Sequence, residues 1–458
     1  MTREAEVRFT CPEGALKQYI SDLTGDYGVT FEDGRVMVYV KEIKETEQTY
    51  DKVRQLAGDI ARDLQKQKVT KATVADEQFK EAFSKLDIQK VTTAFVEGWE
   101  LGSYQFASYK SKEKEGKVAL HLKQGALRHQ AVKEGNLRAE ATAFARDLMN
   151  EIPSKLNPET FPEMLKDAFA NTEVEVVVHN KQALEKMEMN GLLAVNRGSK
   201  HDPAFIELHY EGDRSKPLIA LVGKGVTFDT GGISLKSGRN LSDMRMDMGG
   251  AAAVAGAVKL LASLDAKVNV VGLIQTVENM PDSNSLLPGD VIQYKNGHTV
   301  QVGNTDAEGR LILADGLIRA DELKADYIVD IATLTGAIAY ALGPKVAGIF
   351  GEESLTATMK AVGDANGEFV WPMPLIDDYE KDLKSDYADF SNISNQSYGG
   401  SITAALFLRR FVQDPSKWIH VDIAGVMESK EEGYYRASAT GFGARLLADY
   451  ALAISQEN

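Results

Sequence analysis

Pro217-Leu218-Ile219-Ala220-Leu221-Val222 is an apolar run that passes directly into Gly223-Lys224-Gly225-Val226-Thr227-Phe228-Asp229-Thr230-Gly231-Gly232-Ile233-Ser234-Leu235-Lys236. A short continuous apolar segment ending in glycines reads as a buried strand that leaves through a glycine-rich loop. Val268 to Leu273, Tyr327 to Ile331 and Trp418 to Ile423 read as further buried strands, several of them followed by helical segments. Strands without polar alternation, interleaved with helices, predict a mostly parallel sheet flanked by helices on both faces. Ligands of such sheets gather beyond the carboxyl ends of the strands.

Upstream, Leu127 to Met149 is rich in Ala, Glu, Leu and Arg at helical spacing and stops at Asn150-Glu151-Ile152-Pro153. Before it, short apolar runs (Val36 to Val40, Val91 to Val96) mix with helix-like charged stretches such as Tyr50 to Lys68. At 458 residues the chain exceeds one ordinary core. The expected α/β organisation is a smaller N-terminal α/β domain (1–125), a connecting helix (126–150) and a larger C-terminal domain (151–458).

Composition narrows the chemistry. A formal charge of −15 opposes binding to phosphate backbones, so nucleic acid is disfavoured as a partner. The single cysteine, Cys11, can form no intramolecular disulfide and supply no cysteine zinc cluster, which points to a reducing compartment. Met1-Thr2-Arg3-Glu4-Ala5-Glu6 lacks the apolar core of a signal peptide. The most apolar stretch, Ala332 to Phe350, is interrupted by Gly343, Pro344 and Lys345 and falls short of a membrane span. A soluble cytoplasmic protein is expected, with no membrane partner. No fixed-period repeat or low-complexity tract is present.

Three segments carry chemistry. In the first, Lys224 and Lys236 taken alone read as solvated charges and Asp229 as a turn residue; no G-x-x-x-x-G-K-[ST] pattern makes the loop a phosphate cradle. The second, Asp243-Met244-Arg245-Met246-Asp247-Met248-Gly249-Gly250, runs into a helical Ala-rich stretch, so Asp247 alone reads as a helix cap. The third, Asn304-Thr305-Asp306-Ala307-Glu308-Gly309-Arg310-Leu311, contains a possible capping box from Thr305 to Glu308. Together they offer four carboxylates, Asp229, Asp247, Asp306 and Glu308, with Lys224 as a possible nitrogen donor. Carboxylates can bridge two cations, and such a pair can polarise a carbonyl and activate a water. The chain has no H-E-x-x-H, no G-x-S-x-G, and too few cysteines for a zinc deaminase.

The same segments closely resemble the leucyl aminopeptidase (cytosol aminopeptidase) family, whose signature N-T-D-A-E-G-R-L stands intact at Asn304 to Leu311. The likeness extends through Val222 to Lys236, Asp243 to Val254, Ala332 to Gly336, Gly399 to Ala405 and Val421 to Met427, nearly all of the chain from Asn150 onward. It is weak over the first 125 or so residues. The resemblance implies that 151–458 is a catalytic metallopeptidase domain with two divalent ions per subunit, Mn2+ or Zn2+. Lys224, Asp229, Asp247 and Glu308 would hold the tighter ion, and Asp229, Asp306 and Glu308 the more exchangeable one. Lys236 would donate to the substrate carbonyl oxygen. Arg310, with the backbone of Leu334, would hold a bicarbonate that relays the proton. Met244, Thr333 and Met427 would line the pocket for the first side chain, and Asp247 would help hold the free N-terminal amine. The implied reaction is release of N-terminal residues, leucine and other apolar ones favoured, by attack of a metal-bound hydroxide. The implied assembly is a homohexamer. Tyr398 departs from the smaller residues or proline usual before Gly399-Gly400.

Physical chemistry sets conditions on this assignment. A lysine ligates a metal only as the neutral amine, so Lys224 must lose its proton to the cation and activity should fall toward acid pH. Lys236 must keep its proton to stabilise an oxyanion. Two rivals are a two-metal phosphoesterase, for which the usual histidines are missing, and a scaffold or regulator that binds DNA through the N-terminal domain.

Overall fold

The structure, a computed structural model, describes residues 3–10, 12–106, 109–111, 116–238 and 240–457. Cys11, Met1 and Thr2 lie outside them. The chain divides into two compact units: Met1–Ala143 with Ser429–Ser438, and Phe144–Glu428 with Ala439–Asn458. The division therefore falls within the helix His129–Asn150, and a short late segment belongs with the N-terminal unit.

The N-terminal unit has a five-stranded sheet built from β1 (Arg3–Arg8), β2 (Tyr27–Glu32), β3 (Arg35–Val40), β4 (Val69–Val74) and β5 (Ala119–Leu122), in the order β2-β3-β1-β4-β5. Helices Tyr50–Lys66 and Ile88–Gly102 add Val53, Leu56, Ile60, Phe95 and Trp99 to its core. The Val91 to Val96 run lies in the second helix, where a buried face accommodates β-branched residues. The two helices touch backbone to backbone: a Cβ on Gly98 would stand 2.2 Å from the carbonyl oxygen of Arg54. Gly98→Ala is therefore expected to destabilise this unit by about 3 kcal/mol, the upper part of the overpacking range. A lowered denaturant midpoint would register it; an unchanged midpoint would show that the helices part freely. Segment 429–438 is held against the first helix by Arg62, which donates to the carbonyls of Gly433 (2.5 Å) and Tyr435 (3.1 Å).

The larger unit contains β6 (Glu175–His179), β7 (Ala204–Glu211), β8 (Leu218–Asp229), β9 (Asn269–Asn279), β10 (Val291–Gln293), β11 (Thr299–Gln301), β12 (Tyr327–Ala332), β13 (Ala347–Gly351), β14 (Val370–Pro372), β15 (Phe390–Ser391) and β16 (Trp418–Asp422). Eight of these form one sheet, β14-β13-β16-β12-β8-β9-β7-β6. Its middle strands β16, β12, β8 and β9 are mutually parallel, with antiparallel pairings toward the flanks. The expected α/β class, with a mostly parallel central sheet flanked by helices, is the one found. β12 and β16 are buried along their whole length, as their lack of alternation requires. No described helix is long and apolar enough to cross a membrane.

Candidate metal centre

The four parallel strands end on one edge, and polar residues at or just past their ends meet there. β8 does not stop at Val222. It pairs with β9 from Leu218–Asn269 through Asp229–Asn279, so Lys224 and Asp229 are strand residues and the turn begins at Thr230. The glycines that suggested a loop serve close packing instead: a Cβ on Gly223 would lie 2.7 Å from the Gly250 carbonyl, and one on Gly225 2.3 Å from that of Gln275.

Two lysines and four carboxylates interlock at this edge. Lys224 Nζ lies 2.8 Å from Asp247 Oδ2 and 2.9 Å from Glu308 Oε1, and donates to the Thr333 carbonyl at 3.0 Å. Lys236 Nζ lies 2.6 Å from Asp229 Oδ2 and 2.5 Å from Asp306 Oδ1. Lys224, Asp229, Asp247 and Glu308 are buried; Asp306 is half-buried. One carboxylate oxygen from each of Asp229, Asp306 and Glu308 lies within 4.8 Å of the other two.

Neither capping account survives. Asp247 precedes the helix Gly249–Ser263, whose cap Met248 makes no side-chain bond. Glu308 caps Gly309–Glu322 by position only, again with no side-chain bond. Thr305 Oγ1 instead donates to the Gly231 carbonyl and accepts from Ser234 N, joining the loop after β8 to the loop after β11. Freed from capping, the carboxylates turn inward.

Burial pushes the carboxyl groups of Glu308, Asp247 and Asp306 above their ordinary values, and the Asp229 charge adds to each shift. Burial works against the charge on Lys224 too, but Asp247, Glu308 and Asp229 outweigh it and hold its proton on. Asp229 and Glu308 do the same for Lys236 against the same opposing burial. If all six groups are charged, the cluster has an excess of two negative charges. Glu308 Oε2 is buried with no hydrogen bond. Surplus carboxylate oxygens with one amine, and no histidine or cysteine, form a donor set suited to hard or borderline divalent cations such as Mn2+. The residues therefore fit a metal site.

The other expected site residues are tied to separate partners. Thr333 Oγ1 donates to Asp247 Oδ1 at 2.8 Å, directly against the cluster. Arg310 is buried and donates to the Asn392 carbonyl at 2.8 Å; desolvation lowers its guanidinium to about 10, against the pull of Glu308 and Asp422. The Leu334 amide donates to Asp422 Oδ1 at 3.1 Å. Met244 is buried in the tight turn Ser242–Met246, and the Met427 carbonyl accepts from Thr440 N.

Two buried amides that sequence reasoning missed organise the loops that carry these carboxylates. Asn279, at the end of β9, donates to Asp229 Oδ1 (2.8 Å) and to the Thr305 carbonyl (2.9 Å). Asn392 donates to the carbonyls of Asn304 and Ala307 and accepts from the amides of Gly303 and Asn304. The one available signal for Asn279 was a polar residue just past an apolar run; for Asn392 there was none.

Comparison with known proteins gives the family. Residues 143–448 match the model of the cytosol aminopeptidase family, catalytic domain, and residues 44–113 that of the same family's N-terminal domain. A probable cytosol aminopeptidase of Persephonella marina is 40% identical over 88% of this chain and 82% of that relative. One from Aquifex aeolicus is 42% identical over 81% of this chain and 76% of its own length. Among solved structures, the bottromycin maturation enzyme BotP superposes with a TM-score of 0.90 at 31% identity, covering 100% of both chains. BotP in complex with Mn gives 0.89 at 32% identity, over 99% of each. The chain belongs to the cytosol aminopeptidase family and is a metal-dependent aminopeptidase.

Proposed function

We propose that this enzyme holds two divalent ions and releases N-terminal residues from peptides with a free amine, favouring leucine and other apolar first residues. The observation that carries the reading is the convergence of Asp229, Asp306 and Glu308 beside the Lys224–Asp247 pair. Lys224, Asp229, Asp247 and Glu308 would hold one ion, and Asp229, Asp306 and Glu308 the other, with Asp229 and Glu308 shared. The all-oxygen character of the second set favours Mn2+ over Zn2+, and the BotP complex with Mn supports that choice. When bound, such ions polarise the scissile carbonyl and lower the pKa of a water.

The protein's own groups do the rest. Asp247 receives the substrate's free amine, which makes the enzyme an exopeptidase because an acylated amine loses that contact. Lys236 keeps its proton and donates to the carbonyl oxygen as charge develops there. Met244, Thr333 and Met427 line the first side-chain pocket. Arg310 is the group for a bicarbonate, helped by the backbone of Leu334. Hydrolysis of Leu-p-nitroanilide by the Mn2+-loaded enzyme, with no turnover of the N-acetylated substrate, is the expected result. Equal turnover of both would defeat the exopeptidase reading.

Ligation by Lys224 has a thermodynamic signature. The carboxylates around it hold its proton on, so metal must displace that proton, and loading at pH 7 should release at least about one proton and weaken as pH falls. Calorimetric titration with Mn2+ in buffers of different ionisation enthalpy reads this directly. Identical heats would remove Lys224 from the ligand set.

The whole-length match to BotP favours one alternative, a maturation enzyme dedicated to a single product. A panel of unrelated aminoacyl substrates decides: broad turnover supports the general exopeptidase. We further propose a cytoplasmic homohexamer, which a monomeric mass by light scattering would refute.

A further inference from the structure

The run Val421 to Met427 shares the family likeness, yet none of the roles above uses its buried acid. Asp422 closes β16 and is fully buried. Its Oδ1 accepts from the amides of Leu334 (3.1 Å), Thr335 (3.3 Å) and Ala424 (3.3 Å), and its Oδ2 from the Thr335 hydroxyl (2.6 Å). Leu334 and Thr335 belong to the short turn between β12 and the helix Gly336–Leu342, where no sheet ladder pairs the backbone. The preceding residue of that turn, Thr333, touches the metal cluster twice. Its carbonyl accepts from Lys224 Nζ at 3.0 Å, and its hydroxyl donates to Asp247 Oδ1 at 2.8 Å.

We propose that Asp422 is a positioning residue that holds Lys224 and Asp247 in ligating geometry through the Thr333-Leu334-Thr335 turn. The proposal rests on the reading of Lys224 and Asp247 as metal ligands. Asp422 itself touches neither substrate nor ion. A row of buried polar groups lies beside it: His420, two residues earlier on the same face of β16, pairs with Asp330 of β12 at 2.5 Å, and Asp330 also accepts from Trp418 Nε1 at 2.7 Å. Loss of the Asp422 carboxylate frees two successive amides of the turn, and Thr333 shifts with them. Asp306 is untouched by that movement, because its loop is tied to Asn392 and, through Thr305, to Gly231. The effect is therefore asymmetric between the two ions.

The test is calorimetric titration of the full-length protein with Mn2+, comparing the parent with Asp422→Ala, Thr335→Val and the conservative Asp422→Asn. Thermal unfolding of each metal-stripped protein serves as the control for folding. In Asp422→Ala the ion held by Lys224 and Asp247 should bind about 10- to 100-fold more weakly, as for loss of a ligand-orienting group, with the other ion unchanged. Asp422→Asn, which can still accept from the amides, should recover most of the loss. Thr335→Val should weaken the same ion by less, and it carries the comparison if Asp422→Ala does not fold. Wild-type affinity for both ions in folded variants, or equal weakening of both, overturns the proposal. A parent protein that binds no Mn2+ overturns the ligand reading instead.

Discussion

Glu308→Ala is expected to bind no ion pair and to hydrolyse Leu-p-nitroanilide on the order of a thousandfold more slowly than the parent, or worse. Glu308 would be shared by both ions, so its removal strips a ligand from each. The several kcal/mol that a metal pair contributes to the transition state correspond to at least that loss. The fold should survive. Glu308 occupies the cap position of Gly309–Glu322 without making a capping bond, so the helix loses nothing with the side chain.

Stability should move the other way. Glu308 has a folded value raised by burial above its unfolded one, so its contribution favours the fold only at low pH and is lost as pH rises from the ordinary carboxyl range through the raised value. Above about pH 8, where the folded side chain is ionised as well, that contribution is gone and burial of the charge opposes folding. Metal-stripped Glu308→Ala should therefore melt no lower than metal-stripped parent at pH 8, a common trade between function and stability. A large fall in melting temperature would mean that Glu308 supports the fold. Retained hydrolysis would mean that the ligands are wrongly assigned.

Lys236→Ala separates chemistry from metal binding. Removal of one preorganised donor to a developing oxyanion lowers kcat by about 100- to 1000-fold. Ion affinity should hold or rise, because Lys236 sits between Asp229 and Asp306 and competes with a cation for both. Opposite movement of kcat and affinity is the signature. A parallel fall in both would make Lys236 a structural brace of the loop rather than a donor.

The contrast between what the sequence shows and what it hides follows the range of the interactions. Apolar runs of strand length at Pro217 to Val222 and Trp418 to Ile423 announce buried strands because burial on both faces removes polar alternation. The acidic run at Asn304 to Leu311 announces chemistry because two carboxylates so close together gain nothing from an apolar setting. The reach of β8 through Gly223-Lys224-Gly225 was hidden: local glycine grammar means a turn, and only the neighbouring backbones at Gly250 and Gln275 reveal why those positions have no Cβ. The capping box at Thr305 failed for a like reason, since Ser234 and Gly231, some 70 residues earlier, engage its hydroxyl. Asn279, Asn392 and Asp422 act through partners far away in the chain, so nothing in their local sequence marks them.

The most direct test is a crystal of the Mn2+-loaded protein measured at the manganese absorption edge. Two anomalous peaks roughly 3.5–4 Å apart, one among Lys224, Asp229, Asp247 and Glu308 and the other among Asp229, Asp306 and Glu308, are predicted. A single peak, or peaks away from these five side chains, would contradict the two-ion centre on which the mechanism stands.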